Sequence, residues 1–137
     1  MFFKKEIDQD QDNKLIKIAS LLIHAAKIDE NYSDKERYII ESTLLELGAK
    51  KKKIKALISE AIENEKNSVQ ILDFTKEVKN MNEDEKIKII ETLWRIIYSN
   101  KDADIYETNL MRRLAGLLYV DTKIMGDIKD RIEKENL

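Results

Sequence analysis

The chain contains no cysteine and no proline, and its 137 residues include only three glycines, one histidine and one tryptophan. Without cysteine there are no disulfides, thiolate metal sites or cysteine nucleophiles. That fits a reducing compartment. The lone His24 supports neither a Ser-His-Asp arrangement nor a His-assisted carboxylate pair. It lies on a polar stripe with Lys17, Ser20 and Lys27 and reads as a solvated residue. No uncharged apolar run approaches membrane-spanning length. The opening Met1-Phe2-Phe3-Lys4-Lys5 is too short and too quickly charged to be a signal peptide. A cytoplasmic location is the expectation. Charge of one sign is missing too: charged residues make up 38% of the chain, yet the net charge is −2. Such interspersed charge suits a soluble protein rather than a polyanion binder. No aromatics interleave with the basic residues, which argues against nucleic acid.

What the chain does have is an internal correspondence at an offset of 71 residues, with no gap. It pairs Ile18 with Ile89, Leu22 with Leu93, Ala25 with Ile96 and Ala26 with Ile97. It continues through Glu36 with Glu107, Ile39 with Leu110 and Leu47 with Leu118. The polar Lys17, Ser20 and His24 stand opposite Lys88, Glu91 and Arg95. Spacings of 3 and 4 place those polar residues on one narrow stripe of each helix. Most other positions there are apolar, as in Leu15 to Ile23 and Ile87 to Ile97. A helix apolar around most of its circumference is buried on several sides. These two helices therefore read as the centre of one core, with Leu22, Leu93 and Trp94 inside it.

Length suits one domain able to bury its own core. The pattern predicts an all-α, single-domain bundle of about seven helices with a pseudo-two-fold repeat, its halves at about 15–47 and 86–118. Residues 1–11 read as a loose, partly helical lead-in to a helical domain over 12–137. Helix one is expected over about Asp12 to Ile28, and helix two from Ser33 to a stop at Gly48. A third follows over about Lys51 to Glu65, with Ile54, Leu57, Ile58, Ala61 and Ile62 on one face. Ser68 caps a fourth helix holding Val69, Leu72, Thr75 and Val78. Asn82-x-x-Glu85 resembles a capping box opening the fifth. The sixth runs from Asp104 to near Tyr119. Asp121 caps the seventh, with Ile124, Ile128 and Ile132 facing inward. No period-2 alternation marks a strand.

Two acidic loops join the paired helices. They read Asp29-Glu30-Asn31-Tyr32-Ser33-Asp34-Lys35-Glu36 and Asn100-Lys101-Asp102-Ala103-Asp104-Ile105-Tyr106-Glu107. Side-chain oxygens fall at the first, third, fifth and eighth places of both. Alternate loop oxygens followed by a glutamate on the entering helix can converge on a calcium or other hard divalent cation. The candidate ligands are Asp29, Asn31, Ser33, Glu36, Asn100, Asp102, Asp104 and Glu107. Both loops lack the EF-hand's glycine at position six and its glutamate at position twelve. Capping supplies the second reading. Ser33-x-x-Glu36 and Asp104-x-x-Glu107 are capping-box patterns, and acids favour a helix N-terminus. Capping explains the fifth and eighth places but leaves the first and third, which precede the cap. Tyr32 and Tyr106 flank the loops as covers.

The pattern resembles the TerB family of tellurite-resistance-B-like domains, over about Asp12 to Ile132. That family carries two copies of an A-D-G-x-[IL]-x-x-x-E motif at helix–loop–helix junctions. Here Ala26 to Glu36 is the first copy, with Asp29 as the motif Asp. Asn100 takes the Asp place in the second, and Glu107 the Glu. Glu107-Thr-Asn-Leu-Met-Arg-Arg-Leu and Glu91-Thr-Leu-Trp-Arg are similar to one bacterial branch. Glu30 and Lys101 stand where the family has Gly, and Tyr119 where a Gly would follow helix six. The resemblance implies an all-helical domain, a divalent-cation site among the motif acids, no established catalytic activity and a stress context like that of tellurite resistance.

The expected role is a non-enzymatic interaction module, monomeric or weakly dimeric, with another protein as partner. The loops hold carboxylates without a neighbouring His, Cys or Lys pair, which weighs against the alternative of a metal-dependent enzyme. A scaffold with no ion is the third reading. The run Lys50 to Lys53 with Lys55 reads as a solvated helix start, or as a contact for an anionic partner or membrane surface.

Overall fold

Every regular element in the computed structural model is helical; the structure describes residues 2–28, 33–67, 71–99 and 105–135, with side chains from Asp10 onward except those of 105 and 106. Among the described residues there are seven α-helices and no strand. They are α1 (Phe2–Ala26), α2 (Asp34–Glu46), α3 (Ile54–Asn67), α4 (Leu72–Lys79), α5 (Glu83–Tyr98), α6 (Ile105–Leu117) and α7 (Thr122–Glu135). A short 3₁₀ turn, Lys51–Lys53, leads into α3. None of the described helices is long and apolar enough to cross a membrane.

Helices α1 and α5 form the centre, as their apolar circumference requires. Helix α1 packs against α2, α3, α4 and α5, while α5 also packs against α2, α4 and α7. Ile18, Leu21, Leu22 and Ile23 on α1 and Ile89, Ile90, Leu93, Ile96 and Ile97 on α5 are fully buried. Trp94 is buried and stacks on Tyr98 with ring centroids 6.0 Å apart. The inward face expected on α3 is present: Ile54, Leu57, Ile58 and Ala61 are buried, and Ile62 packs against them.

Chemistry at the helix ends explains where they start and stop. The Asn82 side chain accepts from the Glu85 backbone N–H at 2.9 Å and opens α5. Asp121 accepts from the Lys123 backbone N–H at 2.8 Å and opens α7. After α2 the chain closes through two crossed bonds, Ala49 N–H to Leu44 C=O at 2.9 Å and Gly48 N–H to Leu45 C=O at 3.1 Å. Gly48 lies at φ +107°. This is the paired Schellman closure that satisfies orphan carbonyls. The same closure follows α6, from Val120 to Ala115 at 3.0 Å and from Tyr119 to Gly116 at 3.3 Å. Tyr119 takes φ +56°, the one positive φ among described non-glycine residues.

The structure corrects several expectations. Helix α1 begins at Phe2, so the lead-in is helix where it is described. On α7 the buried set is Met125, Ile128 and Ile132, and Ile124 is exposed. Steps of 3 and 4 stay on one face, whereas two successive steps of 4 drift around the helix. Leu72 is also exposed, and α4 buries Phe74, Thr75 and Val78 instead. Ser68 and Val69 lie outside the described residues. The lysine run forms the 3₁₀ turn rather than the first turn of α3. Lys53 pairs with Asp12 at 3.1 Å, and Lys51, Lys52 and Lys55 are exposed.

The solvated stripe on α1 is a seam. Ser20 is fully buried, its hydroxyl 2.7 Å from the Ile16 carbonyl and 3.2 Å from that of Ala61 on α3. His24 is half-buried with Nδ1 3.3 Å from Glu65, which also accepts from Lys27 at 3.1 Å. Lys17 reaches Glu77 on α4 at 3.4 Å. The matching stripe on α5 does the same work: Glu91 meets Arg131 at 3.1 Å, Arg95 meets Glu135 at 3.4 Å, and Lys88 meets Glu46 at 3.0 Å. A polar stripe on a central helix need not face water, because partner helices can supply the opposite charges.

Candidate acidic junctions at one end of the bundle

The first junction is visible from Ser33 onward. Ser33 adopts extended backbone and caps α2. Its hydroxyl oxygen accepts from the Glu36 backbone N–H at 3.2 Å. Glu36 Oε1 in return accepts the Ser33 backbone N–H at 2.9 Å, with the Ser33 hydroxyl 3.0 Å away. This is a complete capping box, so the expected capping role of these two residues is met. It also buries Glu36, which is only 1% exposed. Asp29, Asn31 and Tyr32 lie outside the described residues.

At the second junction Glu107 is the described ligand candidate. It sits in the first turn of α6 and is 5% exposed. Asn100, Asp102 and Asp104 lie outside the described residues, as does the Tyr106 side chain. The two motif glutamates, 71 residues apart, are thus both buried in a first helical turn. Buried carboxylates are rare unless paired or ligating.

Flanking contacts place the two junctions near each other. The Lys35 amine, in the first turn of α2, lies 3.4 Å from the carbonyl of Ser99, the residue before the second loop. A cleft of about 450 Å³ runs between the end of α1 and α6, lined by His24, Ile28, Asn109, Leu110 and Arg113. Ile28 directly precedes the first loop, and Asn109 follows the second by two residues. The donor types are all hard oxygens, which suits calcium or a similar ion. Among the described residues no three His, Cys, Asp or Glu side chains gather as a metal cluster.

Three features of the structure carry little signal in the sequence. The Thr43 and Thr92 hydroxyls meet at 2.7 Å in the buried seam between α2 and α5. Lys86 is buried on α5 with its amine 3.8 Å from Glu83, an apolar stem reaching back to an exposed carboxylate. Their signal was weak: a lone Thr or Lys on an amphipathic helix looks the same whether its neighbour is solvent or another helix. The third is a second cleft, on the opposite face of α6. No curated protein and no solved structure matches the chain. The description tellurite resistance protein TerB belongs to a family model that matches residues 15–130, and the chain is a member of the TerB family.

Proposed function

We propose that this TerB-family chain is a non-catalytic helical module that holds a hard divalent cation between its two acidic junctions and presents that end of the bundle to a protein partner. The burial of both Glu36 and Glu107 at the starts of α2 and α6 carries the reading. Capping alone does not require burial, since Asn82 caps α5 at the surface, its side-chain amide donating to the Glu85 carboxylate. Asp29, Asn31, Ser33 and Glu36 would contribute from one side, and Asn100, Asp102, Asp104 and Glu107 from the other. The 71-residue correspondence supports a repeat of three helices, because Ile54, Leu57 and Ala61 on α3 match the buried Met125, Ile128 and Ile132 on α7.

Calcium titration read by thermal melting tests the proposal. A cation that binds only the folded chain raises the melting temperature. Millimolar calcium, in the range of loosely built sites at about 10⁻⁴–10⁻³ M, is expected to raise it in the wild type and not in Asp102→Asn. The substitution lies outside the capping pattern, so it removes a ligand and leaves the helix start intact. Equal shifts in both proteins would reduce the second junction to a capping loop.

A further inference from the structure

The second cleft has a volume of about 350 Å³ and lies among α5, α6 and α7. Its apolar wall includes Trp94, Met111 and Met125. Its rim carries Arg112 and Lys129. Gly126 also lines it, and a Cβ added there would meet no atom within 4 Å. The Asn109, Leu110 and Arg113 side of α6 faces the other cleft, so this one is separate from the cleft beside α1.

The two cations of the rim are open to an anion. Elsewhere between α5 and α7, Arg95 and Arg131 are held by Glu91 and Glu135. Neither Arg112 nor Lys129 has a carboxylate partner within 4.0 Å among the described residues, and Lys129 lies instead 6.0 Å from the Trp94 ring centroid. The Trp94 indole N–H adds a third observation: it is buried and has no hydrogen-bond acceptor among the described residues. A buried donor without an acceptor is destabilising, and a ligand acceptor would relieve it. Ligand pockets of this size class pair an apolar wall with a few polar groups that fix orientation. Methionine walls adapt to irregular apolar bodies.

We propose that this cleft binds a small amphipathic organic anion, its apolar body against Met111, Met125 and Trp94 and its anionic head between Arg112 and Lys129. Arg112 supplies planar paired donors and Lys129 a compact charge, a combination suited to a carboxylate or phosphate head. The absent side chain at Gly126 leaves room for the body. Methionine flexibility lets an acceptor atom of the ligand approach the indole N–H.

Trp94 is the sole tryptophan of the chain, so its emission reports on the cleft without a label. Octanoate is titrated against octanol, which lacks the charge, and acetate, which lacks the body. Octyl phosphate is compared to separate a carboxylate from a phosphate source. A saturable change in Trp94 emission is expected with octanoate or octyl phosphate, and at least about tenfold weaker binding with octanol and acetate. Arg112→Gln and Lys129→Gln should each raise the half-saturating concentration about tenfold. Gly126→Leu should abolish saturation while melting no lower than wild type, because it fills open space and replaces a helical glycine. Octanol saturating as well as octanoate would overturn the proposal, as would a response unchanged in all three variants or no saturable response to either anion. If Gly126→Leu fails to fold, the exposed Arg112 position still decides the matter.

Discussion

The turns after α2 and α6 reach one geometry with different residues. Gly48 closes the first and Tyr119 the second, at positions 71 apart, and both make the same pair of crossed backbone bonds. Glycine enters positive φ freely. A tyrosine pays about 1–2 kcal/mol for a left-handed conformation. Tyr119 is held there with Leu118 and Val120 buried on either side and the Lys79 amine 4.4 Å from its ring centroid. The closure is demanded by the packing of flanking apolar residues, and glycine is only its easiest solution. A second contrast lies in the seams. Thr43 and Thr92 bond across α2 and α5, while the offset-matched Leu114 and Leu21 are both fully buried and apolar. Helix α2 packs against α5, whereas α6 packs against α4 and α7 and leaves a cleft beside α1. Helices α2 and α6 end in the same closure and differ in what they pack against.

The largest expected effects test whether the central helices are equivalent. Leu22→Ala and Leu93→Ala should each destabilise by about 2–5 kcal/mol through lost transfer energy and a residual cavity. Urea denaturation reads both; values below about 1 kcal/mol at both would break the comparison at its core. Next come the closures. Gly48→Ala should cost about 1–2 kcal/mol, since alanine must adopt the positive φ, and its Cβ would also press on Gln11 Nε2 at 3.3 Å. Tyr119→Gly should instead stay within about 1 kcal/mol of wild type, because relieved strain opposes glycine's entropy in the unfolded chain. Similar losses at both positions would show that the Tyr119 side chain, rather than the turn, holds that end.

Ser33→Ala removes one half of the capping box and should lower stability by about 1 kcal/mol, read by thermal melting. The smallest expected effect concerns the threonine seam. Thr43→Val and Thr92→Val should each cost about 1 kcal/mol, and the double variant less than their sum, since replacing both partners leaves no widowed hydroxyl. A double variant as costly as the two singles added would mean that the hydroxyls act through the Ile39 and Lys88 carbonyls, not through each other.

Much of this architecture was legible because helical spacing and cap chemistry are local. Apolar steps of 3 and 4 named α1 and α5 as central, and Ser33, Asn82 and Asp121 marked helix starts that the structure contains. The errors fell where a local rule had two outcomes. Ile124 and Met125 are neighbours, and only the angle at which α7 lies on α5 decides which is buried. His24 and Lys27 look solvent-facing until Glu65 arrives from α3. Of the candidate cation ligands, only Ser33 and Glu36 could be followed into a full geometry, and it was the capping geometry that the spacing of serine and glutamate encodes.

The helical class, the central pair of helices, the capping box at Ser33 and the family are written in residue spacing. These follow from residue spacing within one helix or one turn, where the interacting groups are covalently close. Only the tertiary structure decided that both motif glutamates are buried, that the polar stripes of α1 and α5 are charge seams, and that Arg112 and Lys129 stand unpaired around an apolar cleft. Each depends on which groups distant in sequence meet across helices. Burial and pairing are properties of that meeting, and no spacing within one segment contains them.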